Sequence, residues 1–276
     1  MAHSDTEPQD ADGAVHKIFR FLSAQASAAL FGILLLTAII ATRLWYPDWA
    51  PMTRYDALVI FAVGTQVALI VCRLETLREA AVIAIFHAMG TAMEVFKLAQ
   101  GAWDYPEDGI LEIGGVPLFT GFMYAAIGSY IARSLRIFSM RVAPYPPFWA
   151  SVVLAGLIYG NFYAHHYLPD IRLGLFAATL VMFWRTRLTW HVDGAARRIR
   201  LPLAAFLTAI LVWIAENVGT FTQTWTYPGQ GTFDLVSLNM LGSWYLLLYV
   251  SFVTVTLVFR DVLGPAPTGN LQSQRV

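Results

Sequence analysis

The chain has 276 residues, 57% of them hydrophobic and only 13% charged, with a mean hydropathy of +0.57, whereas soluble domains carry about 25% charged residues. The apolar residues come in blocks close to the ~20 needed to cross ~30 Å of hydrocarbon, which excludes an ordinary soluble globule and predicts an all-α, polytopic membrane helix bundle rather than a barrel of alternating strands. Zero net charge gives nucleic acid nothing to bind, so the expected partner is the lipid bilayer, and the single cysteine, Cys72, excludes an intrachain disulfide.

Residues 1–14, polar and acidic, read as a disordered tail without the basic-then-apolar order of a cleavable signal. Residues 15–24 read as a short interfacial helix. Eight transmembrane blocks follow, at 26–45, 55–73, 79–99, 115–135, 148–167, 172–190, 202–221 and 236–259, and 264–276 read as a second disordered tail. The basic segment 185–200 reads as a cytoplasmic loop that anchors topology. Under this scheme 14 Lys and Arg fall on one side and only Arg43, Arg54, Lys97 and Arg172 on the other. The positive-inside rule then places both termini in the cytoplasm.

Two segments repeat at an offset of 122 residues. One runs Glu94, Trp103, Tyr105, Pro106, Gly109, Glu112; the other runs Glu216, Trp225, Tyr227, Pro228, Gly231, Asp234. Pro47-Asp48 and Pro169-Asp170 share the offset. Two parallel four-helix repeats are therefore expected, over 15–140 and 141–263, related by an axis along the membrane normal.

A carboxylate inside a membrane helix is costly and is a functional-site candidate by default. Glu94 and Glu216 are the candidate catalytic pair, with Glu94 the proton donor and Glu216 its counterpart. Trp103, Tyr105, Trp225 and Tyr227 are candidate pocket walls, and they also suit an aromatic belt at the interface. His87 shares a helix face with Glu94, and Lys97 stands one turn beyond it, placed to neutralise it. Asn161 and His165 share a face in Gly160-Asn-Phe-Tyr-Ala-His-His166, and Asn239 opens the last block. These polar residues are expected to meet the two carboxylates in one outward-facing pocket, while Tyr124 and Tyr130 read as packing residues. No metal site is assigned, because adjacent histidines on a helix point about 100° apart and no HExxH is present.

The run FHAMGTAMEVFKLAQGAWDYPEDG, followed by GGVPLFTGFMYAAIGSYIAR, resembles the bacterial YoaT-like integral membrane proteins, a family of unknown function. That resemblance implies a multi-pass protein of the bacterial inner membrane. A fainter likeness, carried by Glu94, Gly101-Ala-Trp103-Asp-Tyr105 and Gly115-Val-Pro-Leu118, is to membrane carotenoid cyclases and hydratases. It implies acid chemistry on a lipophilic, isoprenoid-type small molecule, although Phe119-Thr120 replaces the cyclases' acidic pair. The residues alone leave a membrane enzyme and a cation- or proton-coupled transporter both open, with cofactor, substrate and oligomeric state unassigned.

Overall fold

The computed structural model describes residues 9–192 and 195–264. Of the expected tails, the residues up to Pro8 and beyond Gly264 lie outside the described residues, whereas 9–14 of the first are helical. Among the described residues there are nine helices: α1 (Gln9–Ala28), α2 (Leu30–Trp45), α3 (Arg54–Val71), α4 (Leu77–Ala99), α5 (Phe119–Ile137), α6 (Phe148–Ala164), α7 (Arg172–Phe183), α8 (Leu201–Phe221) and α9 (Leu238–Val258). Five short strands join them: β1 (Glu112–Ile113), β2 (Val116–Pro117), β3 (Arg141–Ala143), β4 (Arg187–Val192) and β5 (Ala195–Arg200).

By length and composition, α3, α4, α8 and α9 can each cross a membrane. The pair α1–α2, bent by 71° at its break, makes a fifth span if it counts as one. α6 and α7 are apolar but shorter, at 17 and 12 residues. At about 1.5 Å per residue, α7 rises only ~18 Å. It stops at Phe183 rather than running through the expected block 172–190, because the sequence beyond alternates: Leu188 is buried while Arg187 and Thr189 flank it. That period of two is a strand pattern. The basic segment accordingly folds as the β4–β5 hairpin, with β3 added along β4, and not as an open loop.

The bundle is organised around α9. Of its most apolar window 72% is buried, against 33–44% for the other three spanning helices. A helix apolar on every side belongs in the centre. One core joins α4 to α9 and a smaller one joins α2, α3 and α5. The expected block 115–135 does not begin as a helix: Gly114 and Gly115 sit at φ +59° and +79° and turn the β1–β2 hairpin, the geometry of a two-residue turn with both residues left-handed. The charges divide between two ends. Arg78–Asp261 and Arg136–Glu79 pair at one, and Arg54–Glu107 and Arg172–Asp170 at the other.

Candidate functional site

The site starts where α4 and α8 end, and both end by the same device. The Ala102 N–H returns to the Lys97 carbonyl and the Gly101 N–H to Leu98, with Gly101 at φ +66°. Likewise the Thr224 N–H returns to Gly219 and the Gln223 N–H to Thr220, with Gln223 at φ +51°. This paired closure satisfies the orphan carbonyls of a helix C-terminus and reverses the chain. Each Trp-x-Tyr segment is thereby laid back along its own helix. Asp104 and Thr226, themselves 122 residues apart, exchange both N–H···O bonds at 2.9 Å, so the two segments run antiparallel to each other.

The returning rings reach the carboxylates. Trp103 Nε1 and Tyr105 Oη donate to Glu94 Oε2 at 2.7 and 2.5 Å. Trp225 Nε1 and Tyr227 Oη donate to Glu216 Oε1 at 3.0 and 2.5 Å. A third donor completes each set: Tyr124 Oη of α5 on Glu94 Oε1 at 2.6 Å, and Trp244 Nε1 of α9 on Glu216 Oε2 at 3.2 Å. Both carboxylates are buried, 4% and 6% exposed. Among the described residues neither has a Lys or Arg at ion-pair distance. Each is held by neutral N–H and O–H groups alone. The two sets touch, since Trp103 meets Tyr227 and Tyr124 meets Trp244 with ring centroids 6.2 and 5.7 Å apart.

Glycines make room for these rings. A Cβ on Gly90 would lie 2.6 Å from the Tyr124 ring, and one on Gly219 would lie 1.8 Å from the Trp225 indole. Gly219→Ala is therefore expected to push the indole off Glu216 and to destabilise the fold by about 1–3 kcal/mol, the usual cost of overpacking. Thermal unfolding in detergent measures it, and a midpoint equal to wild type would refute the packing argument.

Glu94, Glu216, Trp103, Tyr105, Trp225, Tyr227, His165 and Asn239 line one cavity of about 250 Å³. His87 does not. Its ring sits against Phe122, with centroids 4.4 Å apart, deeper in the α4–α5 interface. Asn161 is also outside the lining; its amide donates to Asp170 at 3.0 Å and its oxygen accepts from the Ile171 N–H, which fixes the turn before α7. Asn239, which opens the last block, is exposed on the first turn of α9. Tyr124 and Trp244 are the residues that sequence reasoning missed.

Lys97 does not neutralise Glu94. Its ammonium bonds to His165 Nε2 and His166 Nε2 at 3.3 and 2.9 Å. Burial, then the Lys97 charge, then His165 hold the His166 pKa below its ordinary value. A depressed histidine pKa contributes stability that is fully present above the unfolded value near 6.5. That contribution is lost as pH falls through the folded pKa. The thermal midpoint of wild type is thus expected to fall more than that of His166→Gln between pH 7 and pH 5, and parallel curves would refute this.

A second cavity of about 250 Å³, mostly apolar, lies between α2, α5 and α8. It adjoins the first at Glu216, Trp225, Trp244 and Met123, which line both.

The model of the family described as "Protein of unknown function (DUF817)" matches residues 17–252. The chain is 40% identical over 256 residues to "Uncharacterized protein YoaT" of Bacillus subtilis (strain 168), which covers 92% of this chain and 96% of that protein. No solved structure matches. The chain belongs to this family of unknown function, and the fainter likeness to carotenoid enzymes gains no support from these comparisons.

Proposed function

We propose that this family member is a membrane enzyme that moves protons on a lipophilic, isoprenoid-type substrate with Glu94 and Glu216. The observation that carries the reading is the meeting of the apolar groove and the polar cavity at Glu216, Trp225 and Trp244. A substrate arriving between helices from the bilayer reaches a buried carboxylate without crossing water.

The architecture proposed with it is eight transmembrane helices, α2 to α9, in two parallel repeats over 15–140 and 141–263. α6 and α7 cross as short helices that thin the bilayer around them. The shared offset of the carboxylates, their Trp and Tyr donors, the helix closures and the Asp104–Thr226 pair supports two matched halves. An antiparallel pair between equivalent residues has a two-fold axis between its strands, and halves of four helices share one orientation, which sets that axis along the membrane normal. By the positive-inside rule, the end carrying Arg78, Arg136 and the basic hairpin faces the cytoplasm, with both termini, in a bacterial inner membrane.

Donor accounting separates the two acids. A protonated carboxyl has one O–H to donate. Tyr124 Oη can turn from donor to acceptor, so Glu94 can hold a proton and keep every partner. Trp244 Nε1 and Trp225 Nε1 only donate, so a proton on Glu216 can be received by Tyr227 Oη alone, on the oxygen that also accepts from Trp225, and Glu216 starts as the carboxylate. Glu94 then gives its proton to a substrate C=C bond. The aromatic faces and the Glu216 carboxylate stabilise the resulting carbocation, and loss of a neighbouring proton to Glu216 restores a double bond.

The test compares lipid extracts by mass spectrometry from wild type, a deletion strain, and the deletion complemented with Glu94→Gln. A species lost on deletion and not restored by normally abundant Glu94→Gln is the expected result. Identical extracts would refute the enzyme. The second reading, a cation- or proton-coupled transporter, is favoured by two matched carboxylates that line one cavity with no Lys or Arg at ion-pair distance from either, and gradient-dependent flux in proteoliposomes would select it.

A further inference from the structure

Lys97 is a buried ammonium, 6% exposed, on the last turn of α4. Among the described residues no carboxylate lies at ion-pair distance from it. Its hydrogen-bond partners are imidazole nitrogens. His165 Nδ1 lies 2.8 Å from the Asn161 carbonyl oxygen. An N–H must stand there, so His165 Nε2 offers a lone pair to Lys97 and takes none of its charge. A buried cation paired only with neutral acceptors is costly.

Arg172 lines the same cavity. One of its guanidinium nitrogens pairs with Asp170 at 3.1 Å and another reaches Ser243 Oγ at 3.5 Å, the far limit of a hydrogen bond. Asp170 is itself engaged by Asn161 and by the Arg172 N–H. One carboxylate therefore stands beside two cations on this wall. Glu94 and Glu216 line the same cavity, but each is held by three ring donors and neither stands at ion-pair distance from Lys97 or Arg172. Lys97 and Arg172 thus put two cations on this cavity with one ion-paired carboxylate, Asp170, between them, and Trp225 and Trp244 line both this cavity and the apolar groove.

We propose that Lys97, assisted by Arg172, binds the anionic group, a phosphate or carboxylate, of the molecule that occupies this cavity. The proposal rests on the reading of the cavity as a ligand site, and it places the ligand's charged end at α4 and α7 and the rest towards Glu94 and Glu216. Such an anion arrives either as the headgroup of an amphiphile or as a free small anion, and the chemistry at Lys97 is the same.

The experiment is equilibrium binding of dodecyl phosphate, decanoate and inorganic phosphate to the purified full-length chain in nanodiscs of zwitterionic lipid. Wild type is expected to bind at least one of them. A charge-assisted hydrogen bond lost in Lys97→Met weakens binding about 10- to 100-fold. Lys97→Arg recovers most of it, and Arg197→Gln in the distant hairpin leaves it unchanged. Binding of the alkyl anions alone assigns an amphiphile; displacement of them by inorganic phosphate at comparable concentration assigns a free anion. No binding of any probe, or equal binding by Lys97→Met, overturns the proposal. If Lys97→Met does not fold, Arg172→Gln decides in the same way, with unchanged affinity overturning it. Because binding is read apart from product formation, unchanged lipid extracts with Lys97-dependent binding would sink only the enzyme reading.

Discussion

Arg133→Met is expected to cost about 3–5 kcal/mol, the usual loss when one partner of a buried ion pair is removed. Arg133 is 1% exposed at its side chain and Glu75 is 0%. The guanidinium does more than pair with Glu75 at 3.6 Å. Its Nη2 donates to the Ser27 carbonyl at 2.7 Å and its Nη1 to the Leu74 carbonyl at 2.7 Å. It therefore ties α5 to the break between α1 and α2 and to the turn between α3 and α4. Methionine fills similar volume but leaves the Ser27 carbonyl without its side-chain donor, the Leu74 carbonyl with Arg136 alone, and Glu75 supported only by Ser129 and Gln66. Unfolding in mixed micelles measures the loss. The double replacement Glu75→Met/Arg133→Met is expected to recover part of it, since the stranded charge is gone. A single-variant change below about 1 kcal/mol, the range of exposed pairs, would show that this clasp does not hold the bundle.

Arg133 also marks where sequence reading stops. In the sequence it is one basic residue near a helix end, and charge counting sets it in a loop facing water. The structure turns it inward because two chain breaks, after Ala28 and after Val71, present carbonyls that no helix satisfies. Nothing local in the sequence announces where those carbonyls will meet. Trp103, Tyr105, Trp225 and Tyr227 stood out in the sequence for the opposite reason, although as pocket walls and not as donors to the carboxylates. They sit nine and eleven residues after each Glu, twice over, so local geometry alone returns them to their own helix. Tyr124 and Trp244 did not stand out, because tertiary packing selects the third donor. The position 122 residues after Tyr124 is Leu246, so the repeat register points away from Trp244. The helices α2 to α9 were readable as apolar blocks. The β4–β5 hairpin was hidden because a window of about 20 residues averages over a period of two.

Glu216→Gln is expected to destabilise the protein clearly more than Glu94→Gln, although the two sites look alike. A glutamine side chain replaces one acceptor oxygen by a donor NH2. At Glu94 the amide oxygen can take the Oε2 place, keeping Trp103 and Tyr105, while the NH2 faces Tyr124 Oη, which can rotate and accept. Only the Tyr124 hydroxyl proton loses its acceptor, so the cost is about 1 kcal/mol, the low end for one unsatisfied buried donor. At Glu216 the oxygen kept on Trp225 and Tyr227 leaves the NH2 against Trp244 Nε1, which has no lone pair to offer. The flipped amide sets the NH2 against Trp225 Nε1 instead, so either orientation buries two opposed donors. Unsatisfied buried donors cost about 1–3 kcal/mol each, so Glu216→Gln is expected to lose at least ~2 kcal/mol. Trp244→Phe removes the opposed N–H, and the double variant Glu216→Gln/Trp244→Phe should be more stable than the sum of its singles predicts. Equal losses in the two single Gln variants, or an additive double variant, would refute the donor accounting that makes Glu94 the proton donor and Glu216 the carboxylate that faces it.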